Sequence, residues 1–314
     1  MENKNRLGLG VGGQDQNPAK ILLVTDEVSS DSRELFKRFG IDEVSAETLI
    51  FADIDSAIGA FGANKGDKIY VAPGHTETLS SATAIVLDIA GIEIIGLGTG
   101  SDRPTLTFDT AATTTIPVSA ANITVKNIKF VADYADITSV FTLTTAKNFN
   151  IIDCEVVAGA TNKNFLSVVD TSTVDNAADG LTILRTKWVE ADTATLYMVN
   201  GDADIDSLTI EKCYVNLGVN TSDLPALVGM ATGKDLTNVR IVNNEVIRLN
   251  DANPLLVVTD TTTANTGIVS GNKVRHADTA GELLVTASTK IGFFENYATA
   301  VDDASGFIIP AVDS

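Results

Sequence analysis

The sequence predicts an all-β protein, a right-handed single-stranded parallel β-helix preceded by a small N-terminal arm and helical region. Three observations lead there. A short strand pattern recurs seven times between residues 123 and 298. The recurrences are 24 to 32 residues apart with no helical pattern between them. The apolar content, 44 % of the chain, is mostly Val, Ile, Leu and Ala, with aromatics at only 6 %, a composition suited to strands stacked on flat buried faces.

The repeats are Ile123–Phe130, Phe149–Val156, Leu181–Trp188, Leu208–Val215, Val239–Val246, Gly267–Val274 and Ile291–Ala298, with central anchors at 125, 151, 183, 210, 241, 269 and 293. A second strand is expected after each: 141–144, 165–169, 196–199, 226–230, 255–258, 283–286 and 307–309. A repeat of this length with two short strands is a solenoid signature. Leucine-rich repeats need a Leu/Asn consensus that is absent, and a propeller blade needs about 40 residues. A β-helix absorbs variable coil length at its turns.

Residues two apart on a strand share a face, so the pairs Ile123/Val125, Phe149/Ile151, Leu181/Ile183, Leu208/Ile210 and Val239/Ile241 are expected to point inward. Three residues after each anchor stand Ile128, Cys154, Thr186, Cys213, Asn244, Asn272 and Asn296. The last three predict an asparagine ladder that satisfies its own amides. Cys154 and Cys213 fall two coils apart, roughly 9.6 Å at about 4.8 Å per coil. That is beyond the ~7 Å reach of a disulfide, and both read as core.

Ahead of the repeats, Lys20–Thr25 reads as a short strand and Asp31–Gly40 as a capped helix. An amphipathic stretch follows at Ile54–Phe61, and the β-helix is expected to open near Gly66. The domain reading is 1–52 as an arm and small attachment region, and 53–314 as the β-helix with an N-terminal helical cap.

Gly66-Asp-Lys-Ile-Tyr-Val-Ala-Pro-Gly74, followed by Ile92-Glu-Ile-Ile-Gly-Leu-Gly98, resembles the opening coils of the pectate-lyase-like right-handed β-helix superfamily. The Ile54–Phe61 stretch is similar to the helix that plugs such solenoids. The resemblance covers roughly residues 53–314 and implies the fold. It embraces polysaccharide lyases and hydrolases as well as tailed-phage tailspikes and trimeric capsid proteins. A non-helical N-terminal part, an acidic Thr/Ala/Val-rich body and the absence of a signal-peptide pattern at the start look most like the phage virion proteins.

Net charge is −19, from 22 basic and 41 acidic residues. Residues 1–40 are neutral, with six of each, and the remainder holds 16 basic and 35 acidic side chains. Such a body repels phosphate backbones, which argues against direct nucleic-acid binding. No apolar run is long enough for a membrane helix. Two cysteines are too few for a disulfide scaffold.

No constellation spells out a reaction. Asp202, Asp204 and Asp206 alternate on one face but read as a solvated loop, as do Asp302 and Asp303. His75 follows a Pro-Gly turn and reads as a surface residue, and His276 is too distant for a shared metal site. Trp188 reads as core. The expectation is therefore a chain without enzymatic activity, catalytic residues, cofactor or metal.

Adjacent apolar pairs are the more informative feature. In Phe130-Val131, Val156-Val157, Trp188-Val189 and Val246-Ile247 one member of each must face outward. Val131, Val157, Val189 and Ile247 then form an outer apolar stripe, expected to be the interface of a homotrimer. The neutral arm, with Arg6, Leu7, Leu9 and Val11, is expected to attach to the major capsid protein of a phage shell. This gives a trimeric capsid decoration or cement protein, located in the virion. The alternative is a tailspike or polysaccharide depolymerase on the same scaffold, and a third reading is a stand-alone bacterial lyase.

Overall fold

The computed structural model describes residues 19–26, 34, 37, 49–190, 197–218, 227–248, 256–258, 264–276, 285–286, 290–300 and 309–310. These form a right-handed parallel β-helix with three walls, sheets of eleven, ten and seven described strands. Each complete coil contributes one strand to each wall. Thr124–Lys126 lies in the first sheet, Lys129–Ala132 in the second and Phe141–Leu143 in the third, before Asn150–Ile152 returns to the first.

The expected single strand of each repeat is two strands meeting at a corner. From Lys126/Lys129 to Phe294/Tyr297, two residues separate the end of the first-sheet strand from the start of the second-sheet strand. The first corner residue takes positive φ: Asn127, Asp153, Arg185, Lys212, Asn243, Gly271 and Glu295. Only Gly adopts that conformation freely, and Asn and Asp tolerate it. At Asn127 the side chain compensates, donating to the Gly96 and Gly98 carbonyls at 2.8 and 3.0 Å. The second corner residue turns inward, so the whole column from Ile128 to Asn296 is buried.

The inward pairs behave as expected: Ile123, Val125, Phe149, Ile151, Leu181, Ile183, Leu208, Ile210, Val239 and Ile241 are all buried. Phe141 packs edge-on against Phe130 and Phe149, with centroids 5.2 and 5.0 Å apart, a favoured aromatic geometry. Trp188 is fully buried, and its Nε1 donates to Glu190 Oε1 at 3.3 Å.

The asparagine ladder is present. Asn244 Nδ2 donates to Asn272 Oδ1 at 2.9 Å, and Asn272 Nδ2 to Asn296 Oδ1 at 2.8 Å. Each amide also donates to a backbone carbonyl of the preceding coil: Ile210, Ile241 and Val269 in turn. Upstream in the column stand the free, buried thiols of Cys154 and Cys213, which burial pushes up to about 12. Neither is a ready nucleophile.

Two boundaries differ from expectation. The first sheet begins before Gly66: Ile21–Val24 pairs in parallel with Lys68–Val71, in register from Ile21↔Lys68 to Val24↔Val71. Ile309–Pro310 does not extend the third sheet but pairs antiparallel with Tyr297–Ala300 in the second. The plug is shorter than its sequence pattern, Ile54–Ile58, with Asp53 Oδ1 accepting from the Ser56 amide at 2.7 Å. Ile54, Ala57 and Ile58 are buried in the core that runs through the coils. The helix read at Asp31–Gly40 lies outside the described residues except at Glu34 and Lys37, which are helical. Among the described residues no helix is long and apolar enough to cross a membrane.

Candidate active site

The outer face of the third sheet carries the feature that sequence reasoning missed. In Ser167–Thr171 and Tyr197–Gly201, Asp170 pairs with Asn200 and Ser167 with Tyr197. Val168, Val169, Met198 and Val199 are buried, as is Ser167, while Asp170, Tyr197 and Asn200 are partly exposed. Together with Thr138 and Leu166 these polar residues line a cleft of about 210 Å³.

Asp170 is its one ionisable carboxyl. Burial pushes that carboxyl up to about 6; the Asn200 amide, donating at 3.1 Å, opposes the rise, and the charge of Asp202 adds to it. A carboxyl poised near neutrality and open to a cleft can give and take a proton at working pH. Ser167 Oγ donates to the Thr138 carbonyl at 2.9 Å, which fixes one wall. Asp202 follows the Tyr197–Gly201 strand directly, and its amide donates to Thr171 Oγ1 at 2.8 Å.

The remaining members of the acidic triplet do structural work. Asp204 Oδ1 accepts the Asp235 amide at 2.8 Å, while the Asp204 amide donates to Asp175 Oδ1 at 3.0 Å. Asp206 accepts from Thr237, Asn238 and Ser207, and these hydrogen bonds hold its carboxyl below the usual range. These side chains tie turns of successive coils together. Asp302 and Asp303 lie outside the described residues.

His75 is not a surface residue. It is 2 % exposed, with Nδ1 against Asp26 and Nε2 3.2 Å from Glu77 Oε1. Glu77 Oε1 also accepts the Ile54 amide at 2.7 Å. The imidazole thus links the end of the Ile21–Val24 strand to the plug helix, a contact hidden in sequence because its partners come from distant segments. Among the described residues no three His, Cys, Asp or Glu side chains gather as a metal site.

Val131, Val157 and Val189 do form one outward ladder on the second sheet, half-buried, with Asn216 and then Ile247 continuing it. Arg6, Leu7, Leu9 and Val11 lie outside the described residues.

No protein-family model and no curated protein matches the chain. Two solved structures are similar to it. One is a rhamnogalacturonan lyase, 12 % identical, covering 88 % of this chain and 87 % of its own, with a TM-score of 0.45. The other is titled Geobacillus virus E2 - ORF18, 13 % identical, covering 78 % of this chain, which spans 57 % of that one, with a TM-score of 0.34. The expected absence of enzymatic activity is corrected by the first of these, a lyase.

Proposed function

We propose that the chain is a polysaccharide depolymerase whose site is the third-sheet cleft. The observation that carries this reading is Asp170, a partly buried carboxyl titrating near 6 in a cleft lined by a tyrosine and small polar side chains. Glycosidic cleavage needs a proton donor for the leaving oxygen and a second carboxylate nearby. Asp170 takes the first role and Asp202 the second. The test is incubation with neutral and acidic polysaccharides, reading new reducing ends and, for elimination, ultraviolet-absorbing unsaturated ends. Chain-length reduction of at least one class is expected; no cleavage of any would overturn the proposal.

A second reading concerns assembly. The Val131–Val157–Val189 ladder favours side-by-side association of three copies, with residues 1–52 docking the trimer on a phage particle through its major capsid protein. Light scattering is expected to give three times the 33.0 kDa chain mass. A clean monomer at micromolar concentration would sink this reading and leave the cleft untouched.

A further inference from the structure

We infer that the cleft takes an uncharged glycan, stacks a sugar ring on Tyr197 and hydrolyses the glycosidic bond. This rests on the depolymerase reading and adds the substrate class and reaction type.

Tyr197 opens its strand, partly exposed, opposite Ser167. Gly229 sits in the next coil, paired with Asn200. A Cβ at Gly229 would stand 2.1, 2.4 and 2.8 Å from Cε1, Cδ1 and Cζ of Tyr197. The phenol ring is therefore laid over the Gly229 backbone. The glycine is required by the ring and not by its own φ, which lies outside the left-handed region. Tyr197 is the one aromatic lining the cleft. An aromatic ring offers an apolar face to the C–H side of a pyranose and a polar tip to water. Around it Thr138, Ser167 and Asn200 are neutral and polar; the two hydroxyls donate to the Ala112 and Thr138 carbonyls and keep oxygen lone pairs that suit sugar hydroxyls.

Charge decides the class. No lining residue is basic. Next to the two cleft strands in sequence, Lys163 is the one cation, and it is committed to Asp133, while 172–180 and 202–208 hold five aspartates and no Lys or Arg. Cations are available elsewhere on the body: Arg103 and Lys187 both reach Glu155 on the second sheet. A uronate or sulfate entering the cleft would meet Asp170 and Asp202 with nothing to neutralise it, on a chain of net charge −19. Elimination requires a uronate, so the matching reaction is hydrolysis. Asp170 gives its proton to the glycosidic oxygen as the C1–O bond breaks. Water adds its hydroxyl to C1, and its proton passes to Asp202.

The test uses full-length Asp170→Asn protein to measure binding without turnover. Affinity electrophoresis against dextran, galactomannan, polygalacturonate and heparin is run at low and high salt. Binding to a neutral polymer, insensitive to salt, is expected. Tyr197→Ala is expected to weaken it about tenfold, equivalent to about 1.4 kcal/mol. Gly229→Ala displaces the ring and should do the same, while adding Gly229→Ala to Tyr197→Ala should change nothing further. If Gly229→Ala fails to fold, the double variant, which has no ring to displace, carries the comparison with Tyr197→Ala. Preference for polygalacturonate or heparin overturns the substrate class and leaves depolymerisation standing. Neutral binding that is indifferent to Tyr197→Ala overturns the platform. Binding to no glycan overturns both readings.

Discussion

Asp170→Asn is expected to lower polysaccharide turnover by about 10²–10⁴-fold, the range for loss of a positioned proton-transfer group, while binding persists. The wild-type rate should fall as pH rises through about 6, where Asp170 loses its proton. The same substitution has a signature in stability. The folded carboxyl titrates at about 6 against a reference value of 3.8. Between these values the folded chain holds a proton that the unfolded chain has released. The stability contributed by the neutral carboxyl is thus complete below the unfolded value and is lost as pH rises past about 6. Asn mimics the neutral form at every pH. The variant should melt above the wild type near pH 8, by on the order of 1 kcal/mol given that the group is partly solvated, and match it near pH 4. Unchanged turnover together with identical melting at both pH values would remove Asp170 from the mechanism.

Asn272→Leu should be the most damaging substitution to the fold. Asn272 is fully buried and its side chain takes part in four hydrogen bonds: it accepts from the Asn244 amide nitrogen and side chain, and donates to the Ile241 carbonyl and Asn296 Oδ1. Leucine has the same heavy-atom branching and a somewhat larger volume, so no cavity forms. Four buried hydrogen bonds are lost instead, at about 0.5–1.5 kcal/mol each, and the Asn244 backbone amide loses the acceptor it has in Asn272 Oδ1. A loss of about 4 kcal/mol or more is expected in denaturant unfolding, starting from the C-terminal coils. A loss below about 1 kcal/mol would show that the ladder does not bind those coils together.

The inward architecture was legible because it repeats. Buried columns such as Val125–Ile151–Ile183–Ile210–Ile241 are apolar in every coil, and the asparagines stand at a fixed offset from them. The corners were not legible, since Arg185, Lys212 and Glu295 carry no turn signature and yet hold positive φ; stacking on neighbouring coils overrides their preference. The start at Ile21 was missed because its partner strand lies beyond an intervening segment of more than forty residues. The cleft was missed for a different reason. Asp170, Tyr197 and Gly229 follow no column rule, and their meaning comes from which outward residues the register sets side by side.

Through the seven repeats from Lys126/Lys129 to Phe294/Tyr297 the corner between the first and second sheets keeps two residues, whereas those coils vary from 24 to 32 residues. All variation is therefore absorbed at the other two corners, which border the third sheet. Insertions, deletions and recombined loops arrive beside the cleft and leave the opposite edge unaltered. In descent, such a molecule can change what it grips without renegotiating how it folds.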